Sequence, residues 1–257
     1  MILQWITESF KYLKVKLNNY ADYKSVNKIM NAEFYMMMVV SNMLKIPVCE
    51  FIYCGDCRKE VKDNFDNLCI YFGVITGYCA DISKQKNGTD AMVRGCDLDF
   101  KIGDNDISNR AGFAVTYDEN KNRWNIDNYH HNRLLVMYVP LTGKLYIFPL
   151  RLIAMIINKK VYDLPFKKSY YNDDKIFKHY NFNGKDVFYI DCDYIQACMP
   201  TFMKKYCDNA NIRNLLADGN VAEVDKEEYS AYMENIKNIE TCNIKKFADL
   251  VCCKDWD

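Results

Sequence analysis

The sequence predicts an α/β (α+β) protein in which a central mixed β-sheet is flanked by helices and followed by a helical C-terminal portion. Three observations predict this fold class. A segment that is apolar on nearly all sides covers residues 30–46, short β-rich segments separated by turn residues fill the middle of the chain, and segments with helical spacing begin near Tyr189. With 257 residues, half of them apolar, the chain is long enough to bury a full core.

The first half predicts one helix and several strands in order. "MNAEFYMMMVVSNMLKI" contains no Gly or Pro and stops before Pro47, which predicts a buried helix. "PVCEFIYCG" predicts a strand that enters a loop, "CRKEVKDNFDN" a polar connection, and "LCIYFGVITGYCA" a β-rich segment.

Three pairs of strands are predicted next. "TDAMV" and "CDLDFKI" can be joined by a tight turn at Arg94-Gly95, and "GFAVTYDENKNRWNI" predicts two strands around a polar turn. "RLLVMYVPLTGKLYIFPLRLI" predicts two more strands, with Gly143 free to take a positive φ between them.

The helical spacing after Tyr189 appears in "DYIQACMPTFMKKYC" and "EEYSAYMENIKNIETCNIKKFADLV". We therefore divide the chain near residue 165. Residues 1–165 are expected to form the α/β core with an N-terminal helical extension, and residues 166–257 a mainly helical C-terminal extension.

Composition excludes several classes of protein. No apolar segment is long enough to cross a bilayer, and the N-terminal residues lack the pattern of a secretory signal, so we expect an intracellular protein, cytoplasmic or at the site of DNA, without a membrane partner. The twelve cysteines are scattered, many within apolar segments, and are expected to be buried thiols. Because the formal net charge is zero, binding to nucleic acid would require a local basic patch.

Four ionisable residues concentrate in "GTDAMVRGCDLDFK". In a strand, residues two apart share a face, so Asp97, Asp99 and Lys101 project together while Leu98, Phe100 and Ile102 face the core, and Asp90 can lie beside them at the end of the neighbouring strand. Closely paired carboxylates repel unless a cation lies between them, and Mg²⁺ prefers such oxygen ligands. The grouping predicts a metal site.

These residues resemble the PD-(D/E)XK nuclease superfamily, in which one strand carries an aspartate, the next carries acid-x-lysine, and a preceding helix carries a glutamate. "GTDAMV" matches the first element with Asp90, "DFK" the second with Asp99 and Lys101, and "MNAEFYMMMVVSNML" the third with Glu33. Thr89 stands where the family usually has proline.

The resemblance extends over residues 29–152, where "NRLLVMYVPLTGKLYIFPL" is similar to the restriction-like and intron-associated branch. It implies a restriction-endonuclease-like core and a Mg²⁺-dependent, or Mn²⁺-dependent, DNA endonuclease. Asp90 and Asp99 would hold the metal, Lys101 would orient water or balance charge, and Glu33 would assist from the helix. Asp97 takes the place of Asp99 if the strand register differs.

Double-stranded DNA is the expected partner, and a homodimer would match the two-fold symmetry of a duplex site. The alternative is a non-catalytic binding or structural protein on a similar scaffold, which the neutral net charge favours.

Two other patterns are weaker. His130 and His131 precede a predicted strand, and one of them could reach a phosphate or the active site. Cys54-x-x-Cys57 has the spacing of half a zinc site, but no second half follows, which favours two ordinary cysteines near a turn.

Overall fold

A computed structural model describes most of the chain. The described residues are 29–55, 58–81, 83–84, 88–102, 112–118, 123–124, 132–140, 142–157, 176–182 and 185–241. The predicted N-terminal helical extension before residue 29 lies outside them.

The main helices are α1 (residues 29–43), α2 (Lys59–Phe72), α3 (Leu150–Ile157), α4 (Cys192–Lys205), α5 (Ala210–Leu215) and α6 (Lys226–Thr241). The strands are β1 (Ile52–Tyr53), β2 (Gly77–Tyr78), β3 (Ala91–Val93), β4 (Cys96–Ile102), β5 (Gly112–Asp118), β6 (Arg123–Trp124), β7 (Arg133–Val139), β8 (Lys144–Pro149), β9 (Ile176–Phe182), β10 (Lys185–Asp191) and β11 (Val221–Glu223). No helix within the described part of the chain is long and apolar enough to cross a membrane.

The predicted mixed sheet with flanking helices is confirmed. Seven strands form it in the order β11-β8-β7-β4-β3-β1-β2, and a second sheet has the order β6-β5-β10-β9. In the larger sheet β4 pairs antiparallel with β3 and parallel with β7, so β4 is an interior strand with neighbours on both edges.

Helices cover both faces of the larger sheet. On β7, Tyr138 contacts Tyr229 of α6, whereas the adjacent Met137 contacts Cys192 of α4. Because neighbouring residues of a strand point to opposite faces, α6 and α4 lie on opposite sides of the sheet. The buried helix predicted before Pro47 is α1, which packs through Phe34 against α2.

The prediction for the segment after β1 was wrong. The residues of Lys59–Phe72, expected to form the polar connection and the start of the β-rich segment, form helix α2, whereas Gly77–Tyr78 of the β-rich segment form strand β2. Val61, Phe65 and Leu68 are buried and recur at helical spacing, which places them on one face of α2. Gly73 then ends the helix in the left-handed conformation, with φ of 63°.

The predicted strand pairs are present as β3–β4, β5–β6 and β7–β8. Gly143 has a positive φ of 62° in the β7–β8 turn. One detail differs from prediction: Ile102 is 42% exposed rather than in the core, because the covered part of β4 ends at Phe100.

The C-terminal portion contains the predicted helices α4 and α6, and it also contributes strands. β10 pairs with β5, and β11 pairs with β8, so hydrogen-bonded strands join the chain across residue 165. The division into two parts near that residue stays a prediction.

Candidate active site

Two strands and a tight turn bring the acidic residues together. Arg94 and Gly95 both have positive φ, 47° and 77°, as a two-residue hairpin turn between β3 and β4 requires. The hairpin pairs Ala91 with Leu98. Asp90 directly precedes Ala91 and Asp99 directly follows Leu98, so the turn places the two aspartates on adjacent stretches of chain.

Asp90 is held on both sides by backbone hydrogen bonds. Its N–H donates to the carbonyl of Leu98 at 2.8 Å, and its carbonyl accepts from the N–H of Cys54 at 2.8 Å. Its carboxylate oxygen Oδ2 accepts the N–H of Phe100 at 2.6 Å. The sheet therefore holds the backbone of Asp90 and one of its two carboxylate oxygens.

Asp99 and Lys101, two residues apart on β4, form an ion pair through Asp99 Oδ1. The Asp99 side chain is only 6% exposed, whereas the Lys101 side chain is 49% exposed. The Lys101 ammonium also donates to the carbonyl of Phe100 at 3.1 Å. The carboxylate is thus inside the fold, and the lysine is the part of the pair that faces solvent.

Glu33 of α1 joins the group from a separate element. The hydroxyl of Tyr53 on β1 donates to Glu33 Oε2 at 2.6 Å. Glu33 and Asp90 are partly buried. The structure therefore brings Glu33, Asp90, Asp99 and Lys101 into one cluster, which we call the carboxylate cluster.

Burial and mutual repulsion change the protonation of the carboxylate cluster. The pKa of Glu33 is raised from 4.5 to about 8, chiefly by burial and then by the Asp90 carboxylate, while the hydrogen bond from Tyr53 opposes the change. The pKa of Asp90 is likewise raised from 3.8 to about 7, chiefly by burial, with Lys101 opposing the change and Asp99 reinforcing it. Near neutral pH both carboxyl groups lie close to their titration midpoints.

Lys101 responds in the opposite sense. Burial lowers its pKa, but the carboxylates of Asp99 and Asp90 outweigh this and hold the pKa above its usual range. Lys101 is therefore an ammonium at neutral pH. It can supply positive charge and donate hydrogen bonds, but it cannot accept a proton.

The carboxylate of Asp97, the alternative to Asp99, has a different partner. Its carboxylate oxygen Oδ1 is 3.6 Å from the Lys84 ammonium. Asp99 rather than Asp97 contributes to the raised pKa values of Glu33 and Asp90. The register therefore brings Asp99 to the carboxylate cluster and pairs Asp97 with a different cation.

Three polar residues beside the carboxylate cluster, Tyr53, Thr89 and Arg133, were not predicted to contribute to it, although Thr89 was noted at the position of the family's usual proline. Arg133 begins β7 and is 3% exposed, and its Nη2 donates to Thr89 Oγ1 at 2.9 Å. A charged residue at the start of the apolar segment "RLLVMYV" was the available sign, because a buried interior strand has to compensate such a charge. Nothing in the local sequence pairs Thr89 with Arg133, which are 44 residues apart.

Other candidates fall partly outside the described residues. His130, His131 and Cys57 are not among them, so their predicted roles stay predictions. Cys54 is a buried free thiol near β1, and burial raises its pKa to about 12. Such a thiol stays protonated at neutral pH, which is the behaviour of an ordinary buried cysteine.

The carboxylate cluster has oxygen atoms that suit a hard cation. Asp90 Oδ1 and Asp99 Oδ2 accept no hydrogen bond from a described residue. Across the described part of the chain, however, no group of three or more His, Cys, Asp or Glu side chains is already arranged to hold a metal ion. Asp90 and Asp99 each offer one such oxygen, and Glu33 is held through Oε2 alone by its hydrogen bond with Tyr53.

A pocket of about 540 Å³ lies between α1 and α6. Tyr35 and Tyr232 are among its lining residues, and Glu223, Asp225 and Glu228 are its acidic ones. The lining shares no residue with the carboxylate cluster, so the two features are separate.

Comparison with known proteins finds no matching family model, no matching curated protein and no matching solved structure.

Proposed function

We propose that the protein is a Mg²⁺-dependent endonuclease of the PD-(D/E)XK type that hydrolyses phosphodiester bonds in double-stranded DNA. One observation carries the proposal. Glu33, Asp90, Asp99 and Lys101 come from a helix and two adjacent strands, and they form one electrostatically coupled group. These are the residue types, in the chain order, that the resemblance assigns to catalysis.

The energetics of the carboxylate cluster also support a cation. Three carboxyl groups around a single lysine are costly, because the ionised forms repel one another and burial disfavours charge. The raised pKa values of Glu33 and Asp90 express that cost. A divalent ion would relieve it by favouring the ionised forms of both groups.

In this proposal Asp90 and Asp99 hold Mg²⁺, or Mn²⁺ in its place, through oxygens that no described residue occupies. The bound ion would polarise the scissile phosphate and stabilise the charge that develops on it. Lys101, charged and half exposed, donates to a phosphate oxygen or orients the attacking water from the solvent side. Glu33, held by Tyr53, adds a third carboxyl group from helix α1.

Duplex DNA as substrate and a homodimer as the acting form belong to the same proposal. Their support is the resemblance, together with the symmetry argument that a two-fold duplex site suits a two-fold protein.

The test is cleavage of supercoiled plasmid and linear duplex DNA with Mg²⁺, Mn²⁺ or EDTA. We expect metal-dependent cleavage that Asp99→Asn and Lys101→Met each reduce by about 100-fold or more, because each removes charge that contacts the phosphate or the metal. Asp208→Asn is the matched control, since it removes a carboxylate from an ion pair with Arg151 outside the carboxylate cluster. Loss of cleavage in Asp97→Asn rather than Asp99→Asn would assign the ligand to Asp97.

The alternative is a binding or structural protein in which the carboxylate cluster is only a charge network. It is favoured by the ion pair of Lys101 with Asp99 and the hydrogen bond of Tyr53 to Glu33, which satisfy these groups without a metal. If the folded wild type neither binds Mn²⁺ nor cleaves any of the DNAs, the nuclease proposal is wrong and this alternative takes its place.

A further inference from the structure

Arg133 is a buried charge that the proposed chemistry does not use. It occupies the first position of β7, opposite Asp97 in the parallel β4–β7 register. Its side chain reaches past β4 to Thr89, in the segment that precedes β3. A buried guanidinium is tolerated where it makes hydrogen bonds with polar groups, so this contact ties two separate parts of the sheet together.

The segment around Thr89 is packed closely against the same guanidinium. Gly88 has φ of 72°, and a Cβ atom there would lie 3.6 Å from Arg133 Nη2 and 3.9 Å from Asp99 Oδ2. Thr89 is 1% exposed, and its N–H donates to the carbonyl of Lys84 at 3.0 Å. Gly88 and Thr89 therefore form a restrained segment that lies between Arg133 and Asp99. Asp90 is the next residue along the chain.

We propose that Arg133 is a positioning residue that acts through the Thr89 hydroxyl to fix Asp90 relative to Asp99. Only the backbone of Asp90 and one carboxylate oxygen are held by β1 and β4. The hydrogen bond from Arg133 to Thr89 adds a restraint on the residue directly before it. With Thr89 held by Arg133 and Asp90 held by the strands, the two aspartates keep the separation that one divalent ion must bridge.

Arg133 suits this role better than a lysine would. Its planar guanidinium carries several donors in a fixed geometry, so it can hold the Thr89 oxygen while it makes other contacts. The inference rests on the proposed metal-dependent function, because it assigns Asp90 and Asp99 to one ion.

The test measures binding of Mn²⁺ by electron paramagnetic resonance, without DNA, and in parallel the Mg²⁺ concentration that gives half-maximal cleavage. Thr89→Val keeps the shape of the side chain but removes the hydroxyl, and we expect it to raise the Kd for Mn²⁺ about tenfold. Thr89→Ser keeps the hydroxyl and should restore the Kd to within about twofold of wild type. The half-saturating Mg²⁺ concentration should change in parallel with these Kd values.

The second variant is Arg133→Lys, which keeps the charge. If Arg133 acts through Thr89, combining Arg133→Lys with Thr89→Val should raise the Kd no further than the more affected single variant. Thr76→Val is the matched control, because Thr76 Oγ1 donates to the carbonyl of Phe51 at 2.8 Å away from the carboxylate cluster. It should lower thermal stability without changing the Kd.

Two results would overturn the inference by itself. If the wild type binds Mn²⁺ and cleaves, but Thr89→Val binds Mn²⁺ as tightly as wild type, Thr89 has only a structural role. Independent, additive effects of the two substitutions would show that Arg133 does not act through Thr89. Failure of the wild type to bind Mn²⁺ would instead remove the proposed function and the inference together.

Discussion

The two sides of helix α1 show what burial does to different side chains. Glu33 contacts Tyr53 on the side of the carboxylate cluster, and Tyr35 packs against Tyr229 and Tyr232 on the other. The two residues are two positions apart, which places them on nearly opposite sides of the helix. Burial raises the pKa of both, to about 8 for Glu33 and to about 12 for Tyr35.

The same physical cause has opposite consequences at neutral pH. The tyrosine was neutral before burial and stays so, and its ring contributes packing. The pKa of the carboxyl group is moved toward neutral pH, because ionising the buried group costs free energy. A bound cation can offset that cost. The aromatic side of α1 is therefore expected to govern stability, and the acidic side to govern chemistry.

The largest effect is expected from a substitution that removes packing on the aromatic side of α1. Tyr232 lies 4.7 Å from the Tyr35 ring and is stacked on Phe72 at 5.4 Å, measured between ring centroids. Tyr232→Ala should lower the free energy of unfolding by about 4 kcal/mol. Urea unfolding at several pH values checks this, and the loss should be the same at each because the nearby tyrosines stay neutral.

Tyr232→Phe is the control for that variant, since it keeps the ring and removes only the hydrogen bond to the carbonyl of Asn31. A loss of about 1 kcal/mol is expected. A loss as large as that of the alanine variant would mean that the hydroxyl, not the ring, stabilises this side.

A smaller effect, of the opposite sign, is expected on the acidic side. The pKa of Glu33 is higher in the folded than in the unfolded protein, so protonation of Glu33 stabilises the folded state. This stabilisation is fully present below the unfolded pKa of about 4.5. That contribution is lost as the pH rises through about 8. Glu33→Gln cannot ionise, and it should therefore become more stable than wild type by about 2 kcal/mol on the alkaline side.

The measurement is the difference in free energy of unfolding between wild type and Glu33→Gln across the range from mildly acidic to alkaline pH, in EDTA. Adding Mg²⁺ should shrink the difference by stabilising the ionised wild type. A difference that does not change with pH would show that Glu33 does not titrate in this range.

The smallest effect is expected from a variant that separates two influences on the pKa of Glu33, its burial and its hydrogen bond with Tyr53. In the native protein the hydrogen bond from Tyr53 to Glu33 Oε2 lowers the pKa of Glu33, and Tyr53→Phe removes this bond. The variant should lose about 1 kcal/mol of stability and raise the pKa of Glu33 further. Nuclear magnetic resonance of the Glu33 side chain checks the pKa, and a shift toward lower pH would contradict the assignment.

Local rules predicted the β3–β4 hairpin correctly, because their information lies within a few residues. The turn residues Arg94 and Gly95 fix the hairpin, and a period of two gives the relation between Asp99 and Lys101. Glu33 could be predicted only through the resemblance, since nothing in α1 itself distinguishes a glutamate that meets Asp90 from one in another environment.

What could not be predicted depends on long-range pairing. The parallel contact of β4 with β7 joins strands that no short turn connects, and it alone brings Arg133 close to Thr89. α2 was misread because its C-terminal residues are rich in β-forming types, although Val61, Phe65 and Leu68 already had helical spacing. Gly73 was the overlooked sign of the helix end.

The short hydrogen bond from the Phe100 N–H to Asp90 gives the molecule an internal spectroscopic probe. A backbone amide that donates to a carboxylate changes its proton and nitrogen chemical shifts when that carboxylate gains a proton or a metal. A two-dimensional amide spectrum can therefore follow Asp90 through the resonance of a different residue. Ionisation and cation binding at the carboxylate cluster become observable at one peak, without labelled substrate and without altering the chain.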